Sequence, residues 1–347
     1  MQALILAGGE GTRLRPLTET VPKTVLPLAG RPFTAYTIDW LERHGVDEVV
    51  VSCGYLAEGM QNALIGATGP ALTFMVEPEP RGTAGAVKFC EELLEDRFLV
   101  LNGDVLTDLD LSALLAQHES TGAKATIALH PVSDPSGYGL VRRREDGEIT
   151  EFLEKPEPDQ VDTDEINAGA YVLERSVLEE IPPDRAVSIE RETFQELIGA
   201  GLYGRRLEGY WLDIGTPERF RRASWDILER RVETIVGEMV AADGTLIVDG
   251  AEVDPGAEIR SPALISSGVR VEPGATVGPR AVLGHGCRVG SEAAIEGSVL
   301  FADCVVGSGA RLEDAILSAR ARVSAGVDAP PGLVAAEGEV IKQGAAA

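Results

Sequence analysis

Apolar runs alternate with amphipathic stretches from residue 1 to about residue 130. The short apolar runs are typical of buried strands, and the segments between them carry the spacing of helices. Such alternation indicates right-handed βαβ units and a mostly parallel sheet, so we expect a Rossmann-like α/β fold. The predicted elements are strands Ala3–Ala7, Glu48–Ser52, Leu72–Val76 and Phe98–Leu101 and helices Phe33–His44, Leu56–Ile65, Ala84–Leu94 and Leu111–Glu119.

Between about residues 125 and 215 the apolar runs lie closer together, which predicts an insertion of antiparallel strands that makes the sheet mixed and forms one wall of a cleft. A helix rich in Arg and Glu is predicted from Pro217 to about Val236, with its charges on a solvated face. The predicted strands here are Ala125–Leu129, Gly139–Arg143, Ile149–Phe152 and Ala168–Leu173.

Beyond Gly237 an aliphatic or aromatic residue recurs at every sixth position, and a small or β-branched residue follows each of them four positions later. The phase slips at Val306 and again at Leu317. This period is typical of a β-helix with three faces per turn, whereas a β-sandwich would need period-two strands. We therefore predict a catalytic domain at residues 1–236 and a β-helix domain at residues 237–347. The repeating large residues are Ile247, Val253, Ile259, Ile265, Val271, Val277, Leu283, Val289, Ile295 and Phe301, and the small ones run from Ala251 to Val299 and Val305.

Composition narrows the possible partners. The 347 residues include 31 Lys and Arg against 56 Asp and Glu, and a net charge of -25 argues against a nucleic-acid partner. No signal-peptide pattern or long apolar run is present, so we expect a cytoplasmic protein with no membrane partner. Four scattered cysteines without C-x-x-C spacing predict buried free thiols rather than a zinc site or disulfides.

The first predicted strand runs into a glycine-rich loop, Ala7-Gly8-Gly9-Glu10-Gly11-Thr12-Arg13-Leu14-Arg15-Pro16, and Lys23 follows. Glycines allow the backbone to approach a ligand, and cations at a strand end suit a polyphosphate. The glycine spacing matches neither G-x-x-x-x-G-K-[ST] nor G-x-G-x-x-G.

Two aspartates also follow apolar strands, Asp104 in Asn102-Gly103-Asp104 and Asp213 in Trp211-Leu212-Asp213. Each could be an ordinary turn residue, but beside a polyphosphate loop the pair is a candidate Mg²⁺ site. Glu154 and Lys155 could form a surface ion pair before a Pro turn; alternatively, Lys155 could bind a monoester phosphate, and Glu154 and Asn167 could bind sugar hydroxyls. Thr83 could be a helix N-cap, and Gly82 would let the backbone lie against a flat base.

With these motifs in hand, the chain resembles the sugar-1-phosphate nucleotidyltransferases over almost its whole length. Gly-Thr-Ala-Gly, Ser188-Ile189-Glu190-Arg191-Glu192-Thr193-Phe194 and the repeat tail are most similar to mannose-1-phosphate guanylyltransferases. One departure is Thr24 after Lys23, where many relatives carry Pro. The resemblance implies a left-handed β-helix and in-line attack of a sugar 1-phosphate on the α-phosphorus of an NTP, with Mg²⁺ and without a covalent enzyme intermediate.

The resemblance also implies roles for individual residues. Arg13 and Lys23 would hold the triphosphate, and Asp104 and Asp213 the Mg²⁺. Gly8, Gly9, Gly82 and Thr83 would bind the base, and Gly139, Glu154, Lys155 and Asn167 the sugar phosphate. Arg15 and Arg191 are weaker candidates, with structural roles equally open.

Glu77, five residues before Gly82, stands where pyrimidine-using relatives commonly carry Gln. A carboxylate only accepts hydrogen bonds, and guanine presents two adjacent donors, so the residue favours GTP over UTP, dTTP and ATP. Alternatives are a thymidylyl- or uridylyltransferase acting on glucose 1-phosphate, a catalytically silent regulatory subunit, and an acyltransferase using His285. The repeat domain predicts a homo-oligomer. The sequence leaves mannose, glucose and heptose 1-phosphates open as the sugar substrate.

Overall fold

A computed structural model describes residues 1–183 and 185–343. The chain forms two compact units. The first contains Met1–Gly9 and Thr37–Trp211, and the second contains Glu10–Tyr36 and the chain from Leu212 onward. The predicted domain boundary after residue 236 stays a prediction.

The first unit is built on a nine-stranded sheet whose strands are β1 (Gln2–Leu6), β2 (Glu48–Cys53), β3 (Ala71–Val76), β4 (Arg97–Asn102), β5 (Ala125–Pro131), β6 (Gly139–Arg143), β7 (Ile149–Glu154), β8 (Glu165–Glu174) and β9 (Leu202–Arg206). The main path of this sheet runs in the order β7-β6-β8-β4-β1-β2-β3. Pairing of β1 with β2 and β4, and of β2 with β3, is parallel. Strand β8 is antiparallel to both β4 and β5. The predicted mixed α/β sheet is therefore confirmed.

Capping residues set several helix ends. Asp110 accepts hydrogen bonds from the amides of Ser112 and Ala113 at the start of α4, and Gly122 ends that helix in the left-handed conformation. Among residues 1–183 and 185–343, none of the helices is both long and apolar enough to cross a membrane. The α-helices are α1 (Phe33–Arg43), α2 (Ala57–Ala63), α3 (Gly82–Phe89), α4 (Leu111–Thr121), α5 (Phe194–Leu197), α6 (Pro217–Leu228) and α7 (Ile235–Met239).

Short elements connect the longer ones. Two two-residue strands, Pro27–Leu28 and Arg31–Pro32, pair antiparallel, and two further short strands are Val105–Thr107 and Trp211–Asp213. A π-helix spans Ile189–Thr193. The 3-10 turns are Thr12–Leu14, Lys23–Val25, Glu91–Leu93, Pro158–Gln160 and Arg175–Glu180.

The single helix predicted from Pro217 to Val236 is wrong, because the chain breaks it into α6 and α7. Arg230 adopts a positive φ of 55°, and Thr234 caps α7 by accepting from the amide of Gly237. The charge run is also only partly solvated. Arg221 is 8% exposed and Asp226 is 3% exposed, and Asp226 pairs with Arg231 beyond the end of α6.

Parallel strands of the second unit form three sheets, two with six strands and one with four. Strands from successive turns stack directly, so that Ile247 lies opposite Ile265 and Ile265 opposite Leu283. This arrangement confirms the predicted β-helix and is consistent with a left-handed one. The first sheet contains Thr245–Ile247, Ala263–Ile265, Ala281–Leu283, Val299–Leu300, Ile316–Leu317 and Val334–Ala335; the second contains Glu252–Val253, Arg270–Val271, Arg288–Val289, Val305–Val306, Arg322–Val323 and Val340–Ile341; the third contains Glu258–Ile259, Thr276–Val277, Ala294–Glu296 and Arg311–Glu313.

The first slip of the repeat comes one step earlier than predicted. Leu300, not Phe301, lies opposite Leu283 and joins the interior of the β-helix, where Cys304 takes the place predicted for Val305. The coil turns at Gly297, with a φ of 56°, and holds 17 residues there instead of 18. Phe301 is buried elsewhere, with its ring 6.0 Å from that of Phe220 on α6.

Candidate active site

In the first unit, the parallel strands end together at one edge of the sheet. Leu6, the last residue of β1, lies opposite both Ser52 and Asn102. The amide of Gly103 donates to the carbonyl of Leu6 at 3.0 Å. The glycine loop and the half-buried Asp104 therefore leave the sheet at the edge where open α/β sheets bind ligands.

Glu77 follows β3 at this edge and has a fixed carboxylate. Its Oε1 accepts a hydrogen bond from Ser52 Oγ at 2.7 Å, and its Oε2 accepts from the amide of Arg81 at 3.4 Å. A Cβ at residue 8 would lie 3.3 Å from Oε1, so Gly8 makes room for the carboxylate, whereas Gly9 is exposed and has open space beside it. Each carboxylate oxygen keeps one lone pair for a ligand.

Gly82 and Thr83 begin α3 and pack against the segment that contains Val187. Gly82 has a φ of 69°, and a Cβ there would lie 2.5 Å from the carbonyl oxygen of Val187. Both the backbone conformation and the packing therefore require glycine at this position. The interpretation of Thr83 as an N-cap is wrong, because Arg81 is the cap residue and the Thr83 hydroxyl instead donates to Glu190 Oε2 at 2.9 Å.

The predicted sugar-side residues lie on adjacent strands. Glu154 ends β7 opposite Gly139 of β6, and Asn167 lies on β8, the next strand. A Cβ at residue 139 would lie 3.0 Å from Glu154 Oε2. Burial raises the pKa of the Glu154 carboxyl, and the negative charge of Glu190 raises it further, while Arg191 and the exposed Lys155 act in the opposite direction.

Tyr171 lies buried beside Asn167 and hydrogen-bonds to its side chain. Its fully buried hydroxyl accepts a hydrogen bond from Asn167 Nδ2 at 2.9 Å, while Asn167 Oδ1 accepts from the amide of Gly169 at 3.0 Å. Burial holds the pKa of the Tyr171 phenol well above its usual range, so the group stays neutral. Asn102 also hydrogen-bonds to Tyr171, which links the strand that precedes Asp104 to Asn167.

In the second unit, the glycine loop closes on Lys23. Gly11 has a φ of 62°, and a Cβ there would lie 2.9 Å from Lys23 Cβ. Lys23 is 7% exposed, and its Nζ lies 3.9 Å from Asp213 Oδ1. A Cβ at residue 215 would lie 2.6 Å from Nη2 of Arg13, so Arg13 also reaches this place.

Asp213 is surrounded by donors and positive charges. Its Oδ1 accepts from the amide of Gly215 at 2.7 Å, and its Oδ2 accepts from Arg219 Nη1 at 2.9 Å. Three cations, Arg13, Lys23 and Arg219, therefore gather around one carboxylate, a group suited to a polyanion. Arg15, by contrast, forms an exposed ion pair with Glu10.

Carboxylate oxygens fit a hard divalent cation, and both Asp104 and Asp213 supply them. Among the described residues, no three His, Cys, Asp or Glu side chains are grouped so that they could hold a metal by themselves. An ion bound by either aspartate would take most of its ligands from phosphate oxygens and water. The predicted pairing of Asp104 with Asp213 on one ion stays a prediction.

Four contributors to these groups were missed in the sequence: Ser52, Tyr171, Glu190 and Arg219. Glu190 has a signal in the sequence, since it lies in the motif at residues 188–194. The sequence places Arg219 among the surface charges of the predicted helix, and it gives Ser52 and Tyr171 no signal beyond that of buried strand residues. His285 is exposed, and its Nδ1 shares a hydrogen bond with Ser267 Oγ at 3.1 Å.

Known proteins are similar to this chain over most of its length. Residues 2–230 match the family model described as nucleotidyl transferase, and residues 259–344 match one described as GMPPB C-terminal domain. A mannose-1-phosphate guanylyltransferase of Mycobacterium tuberculosis is 39% identical over 75% of this chain and 76% of its own length. Mannose-1-phosphate guanylyltransferase 1 of Arabidopsis thaliana is 38% identical over 75% and 76%.

Solved structures also resemble the chain. HddC from Yersinia pseudotuberculosis, complexed with GMP-PN, has a TM-score of 0.56 and 30% identity, covering 64% of this chain and 97% of that chain. A putative glucose-1-phosphate thymidylyltransferase from Bacillus anthracis has a TM-score of 0.60 and 25% identity, covering 67% and 97%.

Packing at Gly82 predicts a stability difference between two glycines of the site. Gly82→Ala introduces a Cβ against the carbonyl of Val187 at a positive φ, and we expect it to lower the free energy of unfolding by about 2–4 kcal/mol. Gly9→Ala, where the space is open, is the matched control and should change it by less than about 0.5 kcal/mol. Urea denaturation checks both, and equal effects would contradict the packing explanation.

Proposed function

The chain belongs to the nucleotidyl transferase family, and from this membership we propose that it transfers a guanylyl group from GTP to mannose 1-phosphate and releases pyrophosphate. Relatives that carry the name mannose-1-phosphate guanylyltransferase, 38–39% identical over three quarters of the chain, support the choice of substrates. The observation that carries the choice of GTP is the fixed carboxylate of Glu77.

In the proposed reaction a phosphate oxygen of the sugar 1-phosphate attacks the α-phosphorus of the NTP. The bond from this phosphorus to the bridging oxygen breaks, and pyrophosphate leaves with the electron pair. Two anions must approach each other, so the protein's task is to position them and to neutralise their charge. We assign the triphosphate to Arg13 and Lys23, and the cluster with Arg219 supports this assignment.

Mg²⁺ is the divalent ion we propose, held by Asp104 and Asp213 together with phosphate oxygens. When bound, such an ion neutralises charge that develops on the phosphates. Asp213 is kept in place for this role by the amide of Gly215 and by Arg219, which leaves a lone pair on each oxygen.

Base recognition is assigned to Glu77, with Gly8, Gly9, Gly82 and Thr83 around the base. Two fixed acceptors match the adjacent N1–H and N2–H₂ donors of guanine. Uracil and thymine present one N–H donor between two carbonyl oxygens, and a carboxylate would repel these oxygens because both groups only accept hydrogen bonds. A thymidylyl- or uridylyltransferase would be better served by an amide at residue 77.

Sugar hydroxyls are assigned to Glu154 and Asn167, and the phosphate of the sugar to Lys155, with Gly139 leaving room. Asn167 keeps one amide hydrogen and one lone pair for a hydroxyl beyond its bonds to Tyr171 and Gly169. Self-association through the β-helix and a cytoplasmic location stay predictions beside this proposal.

The proposed activity predicts the outcome of a substrate matrix. Purified protein with Mg²⁺ is assayed for pyrophosphate release with GTP, UTP, dTTP and ATP against mannose, glucose and heptose 1-phosphates. We expect the highest kcat/KM for GTP with mannose 1-phosphate. Release with no pair would favour a silent nucleotide-sugar-binding protein, and acyl-CoA consumption would favour an acyltransferase.

Glu77→Gln should reduce the preference for GTP over UTP by about 10-fold or more, because the amide replaces one of the two acceptors by a donor. The preference is measured as the ratio of kcat/KM values. Glu79→Gln, an exposed neighbour with the same chemistry, is the control and should leave the ratio unchanged. An unchanged ratio in Glu77→Gln would remove this residue from base selection.

Asp104→Asn and Asp213→Asn should each lower kcat by about 100-fold or more, because each removes a negative ligand for the cation beside the reacting phosphates. Circular dichroism and urea midpoints check that the fold is kept. Asp243→Asn, which changes an exposed turn aspartate, should retain activity. Near wild-type turnover in either site variant would argue against direct metal binding by that residue.

A further inference from the structure

Ser52 lies beneath the carboxylate of Glu77 and has no access to solvent. It is 0% exposed, and its carbonyl accepts a hydrogen bond from the amide of Ala7 at 2.8 Å. It pairs with Leu6 on one side and with Met75 on the other. Because the backbone of Ser52 is paired with strands on both sides, the position of its Cα, from which the hydroxyl extends, is fixed.

The hydroxyl gives the shorter of the two hydrogen bonds that fix the Glu77 carboxylate, 2.7 Å against 3.4 Å from the amide of Arg81. A glutamate side chain has three rotatable bonds, and the plane of its carboxylate turns easily unless an oxygen is anchored. Gly8 borders the same oxygen and leaves the carboxylate room without directing it.

A second group, the thiol of Cys90, also hydrogen-bonds with the Ser52 hydroxyl, but it does not replace Glu77 as the acceptor of the hydroxyl hydrogen. The buried thiol of Cys90 hydrogen-bonds with Ser52. Burial raises the pKa of this thiol to about 11, so it is neutral at physiological pH. A neutral thiol is a weak acceptor, and the hydroxyl hydrogen therefore goes to the carboxylate.

We propose that Ser52 is a positioning residue for base selection: it orients the Glu77 carboxylate so that its two free lone pairs face the paired donors of guanine. Ser52 itself is fully buried, so its effect on a base would be exerted through Glu77. The inference rests on the proposed use of GTP. Without the bond, the carboxylate would have to be ordered by each incoming base, at a cost in affinity.

The test compares Ser52→Ala with the wild type in steady-state kinetics. We expect KM for GTP to rise about 10-fold, the effect of losing one hydrogen bond to a charged group, with kcat within about twofold. KM for mannose 1-phosphate should stay unchanged, and the GTP-to-UTP ratio of kcat/KM should fall by the same factor. Ser52→Thr, which keeps the hydroxyl, should restore most of the ratio.

Two further variants separate positioning from general damage. Ser224→Ala removes another fully buried serine hydroxyl, on α6, and should leave the ratio unchanged. In a Glu77→Gln background, Ser52→Ala should cause no further loss of selectivity, as a double-mutant cycle requires of a residue that acts through another. If Ser52→Ala does not fold, Ser52→Cys under reducing conditions replaces it, with an intermediate loss expected from its weaker donor.

The outcomes distinguish this inference from the function on which it rests. A wild type without GTP preference overturns the proposed function. A wild type that prefers GTP, with Ser52→Ala that keeps the preference, overturns only the role of Ser52. That role is also overturned if the Ser52→Ala loss is as large in the Glu77→Gln background as in the wild type.

Discussion

The parallel register of β1 with β2 and β4 is the constraint on which the candidate site residues of the first unit depend. Leu6 lies level with Ser52 and with Asn102, so the loops that follow three separate strands start from one line. The glycines after β1 and Asp104 after β4 are thereby brought to the same sheet edge, and the pairing of β3 with β2 adds Glu77. A slip of one residue would turn every side chain to the opposite face and separate them.

The second unit carries a local concentration of positive charge in a protein whose net charge is -25, and this cluster supports the proposed assignment of the triphosphate. Arg13, Lys23 and Arg219 gather around Asp213, and the single carboxylate keeps the three like charges together. At a Debye length of about 8 Å in physiological salt, distant surface acids weaken such a cluster little.

Sequence patterns were sufficient for much of this architecture and insufficient for its details. Apolar runs located the parallel strands, and the six-residue period located the β-helix. The break of the predicted helix at Arg230 was hidden because it depends on one backbone conformation. Adjacent apolar residues, Leu300 and Phe301, hid the slip in the coil. The partners of Thr83 and Ser52 could not be predicted, because each hydroxyl bonds to a residue brought near only by folding.

The shortened coil at Gly297 shows that strand pairing in the β-helix tolerates a change in the number of residues per coil. Backbone pairing continues unchanged above and below it, with Leu283 opposite Leu300 and Leu300 opposite Leu317. The stacking therefore depends on the paired strands of successive coils and not on the number of residues in each coil. A deletion at a corner alters one turn and leaves every later coil in place, whereas one inside a two-residue strand removes a rung's inward side chain. Over evolutionary time, length changes in this part of the chain can accumulate at corners without cost to the stack.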